Sequence, residues 1–360
     1  MGINHVALLA SQWEGGITPG TMVAGLPAIV RSLLTLQWAG VSRVVIVAGE
    51  FQTAIEKLVA KRVFTLKVEY AQSSGDLPVV SGDALYRREI LATDLQRGEL
   101  SSGALFVRYD SRAAVKKARD LLWRELRKPI ENDGVVAYFL GRPVSRLFSR
   151  FLINTPLTPN HVTMLSFIAA LIGALFVAWP ATVLLGAGLY WLSFVFDCVD
   201  GEIARLKFMG SILGQWLDTI ADDMATTFFS LGLSWALFTL TGSAFYLILG
   251  GVSAGLYFLC SLLVYRVLHR IGVIDTAQYP YFFMGEGGAA SKEKGLFTYF
   301  AYLFRRDVIL FLHLIFAIFG LYHAMFWLQV GLNLGMNAIT LLDQGYRLIT
   351  GRWPRGPVST

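Results

Sequence analysis

The chain has 360 residues, 55% of them hydrophobic, and its mean hydropathy of +0.54 exceeds that of ordinary soluble proteins and indicates several membrane spans. The two cysteines, Cys198 and Cys260, both fall in apolar segments and exclude a disulfide framework or a paired-cysteine metal site. A net charge of +6 without a recognisable nucleic-acid-binding module argues against nucleic acid as a partner and suits the cytoplasmic side of a membrane protein.

Residues 1–130 have mixed composition, and short apolar runs alternate there with helical patterns. Strands are predicted in HVALLA, VSRVVIVAGE, FTLKVEYA and GALFVRYD, and helices in LPAIVRSLLTLQWAG, AIEKLVAKRV and SRAAVKKARDLLWRELRK. This alternation favours an α/β, Rossmann-like soluble domain with a mostly parallel sheet. The N-terminal apolar patch is too short for a signal peptide and lacks a basic flank, which places the domain in the cytoplasm.

Residues 131–158 are predicted to form an interfacial amphipathic helix and a linker. Arg142, Arg146 and Arg150 recur every four residues, while Phe139 and Phe151 are among the residues on the apolar side. This pattern is typical of a basic helix that lies on a membrane surface. An ordinary surface helix of the N-terminal domain is the alternative.

An all-α membrane domain with six transmembrane helices is predicted over residues 159–348, followed by a cytoplasmic tail at 349–360. The spans are 161–179, 181–204, 214–238, 243–267, 307–322 and 324–345. If the first span starts in the cytoplasm, every later basic residue lies on that side: Arg205, Lys207, Arg266, Arg270, Lys292, Lys294, Arg305, Arg306, Arg347, Arg352 and Arg355. The positive-inside rule therefore predicts a multi-pass protein of the inner (plasma) membrane with both termini cytoplasmic.

Two pairs of carboxylates flank the cytoplasmic turn between the second and third spans. Asp197 and Asp200 are three residues apart, and Asp218 and Asp222 are four apart, so each pair shares one face of its helix. An antiparallel helix pair would bring the four together, where they repel one another unless a cation lies among them. Ligands that are all oxygen favour a hard divalent cation, Mg²⁺ or Mn²⁺.

Three neighbouring residues indicate a phosphate-bearing ligand. Gly201 permits close approach by a ligand or backbone, Ala204 is small, and Arg205 can clamp a phosphate. A cation beside an arginine at a membrane surface predicts phosphoryl-type transfer, with the active site on the cytoplasmic side. A cation-transport site built from the same carboxylates is the alternative, and it leaves these three residues without a role.

The spacing D-x2-D-G-x2-A-R-x8-G-x3-D-x3-D, from Asp197 to Asp222, resembles the signature of the CDP-alcohol phosphotransferase family, and the resemblance covers residues 135–345. It implies that the hydroxyl of an alcohol or lipid acceptor displaces CMP from a CDP-linked donor, either CDP-diacylglycerol or another CDP-alcohol. It also implies a homodimer in the membrane.

The resemblance assigns roles to individual residues. It implies that Asp197, Asp200 and Asp218 bind metal, as two Mg²⁺ or Mn²⁺ ions, and that Asp222 is the general base and also touches metal. The residues implied at the CDP site, including two from the segment TPNHVT, are Gly201, Ala204, Arg205, Gly214, Asn160 and Thr163.

Several charged residues lie outside the signature. Glu202 is interpreted as a helix-end charge paired with Lys207, and Asp223 as either a supporting residue of the site or a solvated one. The arginines at the cytoplasmic ends of the fourth and fifth spans either anchor the protein or bind an acceptor phosphate, as in the inositol-phosphate-using members of the family; these are Arg266, Arg270, Arg305 and Arg306.

The N-terminal segment VAGLPAIVRSLLTLQWAGVSRVVIVAGE resembles the sugar-nucleotidyltransferase pattern. Together with the membrane domain it is similar to bifunctional enzymes that make CDP-inositol and then di-myo-inositol phosphate phosphate. Glycines at 15, 16 and 20 remain, but the arginine and lysine of an active phosphate loop are absent, and Asp83 is the one candidate metal ligand. The resemblance therefore implies an inactive docking or regulatory module; a retained cytidylyltransferase activity is the alternative.

Overall fold

The computed structural model describes residues 2–127, 129–283 and 305–354, without the side chains of residues 131, 132 and 277. These residues form two compact units. Unit 1 contains the residues up to Arg127 together with Ile153–Pro156 and Arg205–Phe208, and unit 2 contains the remainder. Predictions for Lys292, Lys294, Arg355 and the end of the tail lie outside the described residues.

Unit 1 is built on a four-stranded parallel sheet, which confirms the predicted sheet type. The strands of this unit are β1 His5–Leu9, β2 Met22–Val23, β3 Leu26–Pro27, β4 Arg43–Val47, β5 Lys67–Ala71, β6 Val79–Ser81, β7 Ala84–Tyr86 and β8 Leu105–Arg108. The sheet order is β5-β4-β1-β6, with all three pairings parallel. Buried valines, leucines and isoleucines of β1 and β4 pack against the first helix and form the core.

Four helices complete the α/β part of unit 1: α1 Ala28–Trp38, α2 Gln52–Val59, α3 Arg88–Arg97 and α4 Arg112–Glu125. The predicted strand GALFVRYD contains β8, but β8 pairs antiparallel with β7 in a separate two-stranded sheet. The sequence did not reveal β6, β7 or α3. Strands of three residues are too short to show alternation, and α3 is mostly polar.

The segment before the apolar helices consists of α5 Ile130–Asp133, a π-helical turn at Ala137–Gly141 and α6 Arg142–Leu152. Phe139 and Phe151 are exposed, as expected for an apolar face that meets lipid. Arg142 differs from its predicted place on a solvated basic stripe, because it is buried among carboxylates of unit 2.

Six further helices are described: α7 Pro159–Val177, α8 Val183–Lys207, α9 Ile212–Thr241, α10 Ala244–Ile271, α11 Arg306–Ile318 and α12 Tyr322–Thr350. All of them belong to unit 2 except the last three residues of α8, which belong to unit 1. Within the described residues, all of these except α11 are long and apolar enough to cross a membrane, which makes five. α11 has 13 described residues, so the sixth span, predicted at 307–322, stays a prediction.

Small residues let α7, α8 and α9 pack closely. A Cβ added at Gly186 on α8 would lie 2.6 Å from the carbonyl oxygen of Gly173 on α7. A Cβ added at Gly232 on α9 would lie 2.3 Å from the carbonyl oxygen of Ala174. Such backbone contacts are typical of helix packing in membranes, and they fix the two motif helices against α7.

Candidate active site

The signature residues lie on α8 and α9, which a short turn connects. Ser211 is the N-cap of α9, and its hydroxyl accepts a hydrogen bond of 3.0 Å from the backbone N–H of Gly214. Four residues separate the end of α8 from the start of α9. The acidic residues on the last turns of α8 and the first turns of α9 therefore lie at the same end of the helix pair.

Three of the four predicted metal ligands meet at this end. One carboxylate oxygen from each of Asp197, Asp200 and Asp218 lies within 4.8 Å of the others. Asp200 is 7% exposed, so little water is available to screen the repulsion among these charges. The three all-oxygen donors therefore fit a hard divalent cation.

The start of α7 supports this group. Thr158 caps the helix in a capping box with His161, and Pro159 occupies the first turn. One turn later, the buried hydroxyl of Thr163 donates a hydrogen bond of 2.5 Å to Asp200 Oδ2. Thr163, predicted at the CDP site, thus orients a carboxylate of the acidic group.

Asn160 lies beside the first turn of α9. A Cβ added at Gly214 would lie 2.8 Å from Asn160 Oδ1, so the glycine leaves room for this amide. Gly201, Ala204 and Arg205 lie on the last two turns of α8 and are each partly buried. The structure therefore brings the predicted CDP-site residues to the same ends of α7, α8 and α9.

Asp222 lies outside the group of three carboxylates. It forms an ion pair with Arg306, at the start of α11, in which both side chains are about a quarter exposed. The sequence placed Arg306 among four basic residues of undecided role, and the spacing of the signature contains no signal for this pairing.

Asp223, the next residue, accepts hydrogen bonds from two tyrosines of α10. Tyr257 donates to Asp223 Oδ1 over 2.7 Å, and Tyr265 donates to Oδ2. Of the two roles considered for Asp223, this favours the supporting one. The tyrosines were not predicted, although two phenols eight residues apart on one face of an apolar helix are an available signal.

Glu202 is not paired with Lys207, contrary to the sequence interpretation. Glu202 is 1% exposed and accepts hydrogen bonds from Arg142 over 3.2 Å and from Ser145 over 2.9 Å. Arg142 also forms a two-point ion pair with Asp133, at 2.6 and 2.7 Å. The interpretation was wrong because Glu202 and Lys207 lie on different faces of α8. The true partner, Arg142, was not considered because its spacing predicted a side chain on a solvated basic face.

The remaining arginines of undecided role have different surroundings. Arg266 is exposed, and the guanidinium of Arg270 lies 5.3 Å from the ring centroid of Trp353. Arg305 lies 3.7 Å from Asp307. Asp83, the candidate ligand of the N-terminal domain, forms an ion pair of 3.0 Å with Arg108.

Comparisons with known proteins give a consistent result. The family model described as CDP-alcohol phosphatidyltransferase matches residues 156–335. A bifunctional IPC transferase and DIPP synthase of Thermococcus kodakarensis is 36% identical over 115 residues, 31% of this chain and 25% of that protein. A phosphatidylinositol phosphate synthase of Mycobacterium tuberculosis is 33% identical over 87 residues, 24% of this chain and 40% of that protein.

The matched segments span a quarter to two fifths of the length of these curated relatives. Among solved structures, the crystal structure of the Mycobacterium tuberculosis phosphatidylinositol phosphate synthase with CDP-DAG bound has 20% sequence identity. That comparison covers 56% of this chain and 93% of the synthase, with a TM-score of 0.38.

Proposed function

The chain belongs to the CDP-alcohol phosphatidyltransferase family, and we propose that it transfers a substituted phosphoryl group from a CDP-linked donor to a hydroxyl acceptor and releases CMP. The observation that carries the proposal is the convergence of Asp197, Asp200 and Asp218 within 4.8 Å, in the signature spacing of the family. A cation-transport site would need the carboxylates alone, whereas the signature also contains Gly201 and Arg205 beside them.

The acidic group fits a divalent metal because it offers at least three carboxylate oxygens and one of its members is buried. Asp197, Asp200 and Asp218 would hold one or two ions, Mg²⁺ or Mn²⁺, which when bound neutralise the donor's pyrophosphate and stabilise the departing CMP. The hydroxyl of Thr163 holds Asp200 in place for this role.

The other residues bind the donor and move the proton. The acceptor oxygen attacks the phosphorus that carries the diacylglycerol or other alcohol, and the bond from that phosphorus to the bridging oxygen of CMP breaks. Asp222 takes the hydroxyl proton, and its ion pair with Arg306 holds the carboxylate in place. Arg205 binds a donor phosphate, while Asn160, Gly201, Ala204 and Gly214 leave room for the nucleotide.

We propose an inositol phosphate or a related phosphorylated alcohol as the acceptor, with CDP-diacylglycerol as the donor. The proposal is supported by the names of the relatives, which include phosphatidylinositol phosphate synthases as well as the bifunctional group. It places the reaction in the synthesis of phospholipids or related polar lipids.

Family membership and the five long apolar helices found among the described residues make this chain an integral membrane protein. We propose that α11 contributes a sixth span, that the protein lies in the inner membrane as a homodimer, and that the acidic group faces the cytoplasm. The basic residues after position 160 support this orientation, since they fall at one end of the predicted spans.

We also propose that the nucleotidyltransferase-like residues 1–130 no longer transfer nucleotides. The loop between β1 and α1 lacks the arginine and lysine of an active phosphate loop, and Asp83 is engaged by Arg108. The alternative is an enzyme that also makes its CDP-alcohol donor, and it is supported by the bifunctional relatives. Formation of CDP-inositol from CTP and inositol phosphate by the purified chain would establish that alternative.

The transfer is tested by CMP release from CDP-diacylglycerol in the presence of Mg²⁺ or Mn²⁺ and a panel of alcohols. We expect Asp222→Asn to lower the rate by about a hundredfold or more, because the acceptor loses its base, while Mn²⁺ binding persists. Asp218→Asn should weaken Mn²⁺ binding itself, measured by equilibrium dialysis.

Asp120→Asn, an exposed carboxylate of α4, is the control and should leave both measurements unchanged. Release of CMP at the normal rate by Asp222→Asn would rule out its role as the base. Absence of CMP release by the unmodified protein with every donor and alcohol would rule out the transfer.

A further inference from the structure

The helix that carries the first half of the signature ends in an unusual turn. α8 ends at Lys207, and Phe208 follows with φ +53°, in the left-handed region that an aromatic residue rarely adopts. The backbone N–H of Met209 donates a hydrogen bond of 2.9 Å to the carbonyl oxygen of Ala204, which closes the turn as a Schellman motif. A residue other than glycine persists in this conformation only where its surroundings hold it.

The surroundings of Phe208 are two arginines and the core of unit 1. The guanidinium of Arg88 lies 4.0 Å from the centroid of its ring, and that of Arg31 lies 5.9 Å away. Both distances are within the range of a cation–π interaction. The ring also packs against the core cluster of this unit, so the left-handed turn is held by its side chain.

Three arginines bind the last three carbonyls of α8, and all of these residues belong to unit 1. Arg88 donates a hydrogen bond of 3.2 Å to the carbonyl oxygen of Arg205, and Arg31 donates one of 3.0 Å to the carbonyl oxygen of Leu206. Arg62 donates a hydrogen bond of 2.5 Å to the carbonyl oxygen of Lys207. The final carbonyls of a helix have no partner within the helix, and they carry the negative end of its dipole. Three guanidinium groups therefore cap this end, one to each carbonyl.

Arg31 indicates how much this contact matters to unit 1. Its side chain is 1% exposed, and the acceptors described for it are backbone carbonyls, those of Val23, Ala24 and Leu206. Burial lowers the pKa of Arg31 to about 10, so the group is still ionised at neutral pH. A buried cation normally needs a carboxylate partner, and here the end of a helix supplies the compensating negative potential.

We propose that Arg31, Arg62 and Arg88 are positioning residues, which clamp the end of α8 and thereby fix the direction of the Arg205 side chain toward the donor. The role of Arg205 in this inference rests on the proposed function; the clamp itself rests on the contacts above. Arg31 lies on α1, Arg88 begins α3 and Arg62 follows the end of α2. A nucleotidyltransferase-like fold without the cations of an active phosphate loop thus has a structural use.

The test uses the full-length protein in detergent and compares two double variants with the same loss of charge. R62Q/R88Q removes two of the three clamping arginines, chosen because the fully buried Arg31 is more liable to unfold unit 1. K61Q/R87Q is the matched control: each residue is the immediate neighbour of a clamping one, and both are exposed. Arg87 lies over the ring of Phe106 and not at the helix end.

The first readout is hydrogen–deuterium exchange in the peptides that contain residues 204–211, which needs no enzymatic activity. A hydrogen bond from a charged group is worth about a factor of ten in equilibrium, so R62Q/R88Q should exchange these amides roughly tenfold faster than the control. Equal exchange in the two double variants would overturn the clamp.

The second readout is the rate of CMP release as the donor is varied. A clamp that aims Arg205 predicts a several-fold higher apparent KM for the CDP-linked donor in R62Q/R88Q, with the KM for the acceptor and the unfolding temperature near those of K61Q/R87Q. Faster exchange with an unchanged donor KM would overturn the positioning role. If the unmodified protein releases no CMP, the proposed function fails, while the exchange comparison still decides the clamp.

Discussion

Arg142 illustrates at the scale of single residues how an ion pair is used inside this chain. It is held by both oxygens of Asp133 and by Glu202, with 10% of its side chain exposed. Removing water from two carboxylates and a guanidinium is costly, and the cost is offset only while all three charges remain. The ion pairs of Arg142 therefore add little net stability, but the loss of Arg142 alone would leave two carboxylates buried without a cation.

We expect Arg142→Met to destabilise the protein by about 3–5 kcal/mol, because Asp133 and Glu202 are left buried without a cation. The measurement is the midpoint of thermal unfolding in detergent. The triple variant D133N/R142M/E202Q carries no unpaired charge and should recover much of the loss. An unfolding midpoint of Arg142→Met equal to that of the unmodified protein would contradict this account.

Local spacing in the sequence predicted which carboxylates come together, while their roles stay predictions. Asp197 and Asp200 share one face of α8, Asp218 lies near the start of α9, and the structure brings the three together. The partners of the other acids were not visible. Arg306 lies 84 positions beyond Asp222 along the chain, and such distant pairings depend on how the helices pack, which periodicity does not encode.

At the scale of secondary-structure elements, the site depends on how closely α8 lies against α7. A Cβ added at Gly186 would lie 2.4 Å from the backbone nitrogen of Val177, closer than such atoms approach in real structures. The backbones themselves are in contact there, so a flexible side chain cannot yield. Gly188, two residues further on, faces open space.

We expect Gly186→Ala to destabilise the protein by about 1–3 kcal/mol, because the added methyl group forces the two helices apart. Gly188→Ala is the matched control on the same helix and should be neutral or slightly stabilising. Thermal unfolding of both variants in detergent provides the comparison. If Gly186→Ala unfolds at the same temperature as Gly188→Ala, the packing of α7 on α8 is not as tight as described.

Long secondary-structure elements were predicted from the sequence, and short ones were missed. The long apolar helices and the five-residue strands β1, β4 and β5 have clear patterns, and the structure contains them. The short strands and the polar helix α3 have none. The sixth span was predicted from apolar composition alone, and the 13 described residues of α11 are too few to test it.

At the scale of the whole molecule, the distribution of charge predicts the orientation in the membrane. The α8–α9 turn is flanked by Arg205 and Lys207, while the α9–α10 turn around Ser243 has no basic residue near it. Lys and Arg near the ends of spans favour the cytoplasmic side. The two turns should therefore lie on opposite sides of the bilayer.

Labelling of single introduced cysteines with a membrane-impermeant maleimide tests this orientation. Ser243→Cys should react in intact cells, and Gly210→Cys only after the membrane is permeabilised; both positions are exposed. The native Cys198 and Cys260 are buried, so they give a low background. Labelling of Gly210→Cys but not Ser243→Cys in intact cells would reverse the assigned topology.

The contacts of the three arginines with the end of α8 also determine when the N-terminal unit can finish folding during synthesis. The buried guanidinium of Arg31 donates a hydrogen bond to the carbonyl oxygen of Leu206, a residue that is synthesised 175 positions later. In that interval α7 and most of α8, two apolar helices, must already have been made. A domain at the start of a chain ordinarily folds first and on its own. Here the N-terminal unit receives its last segment only after the second apolar helix has been translated, so its folding is tied to synthesis of the membrane part.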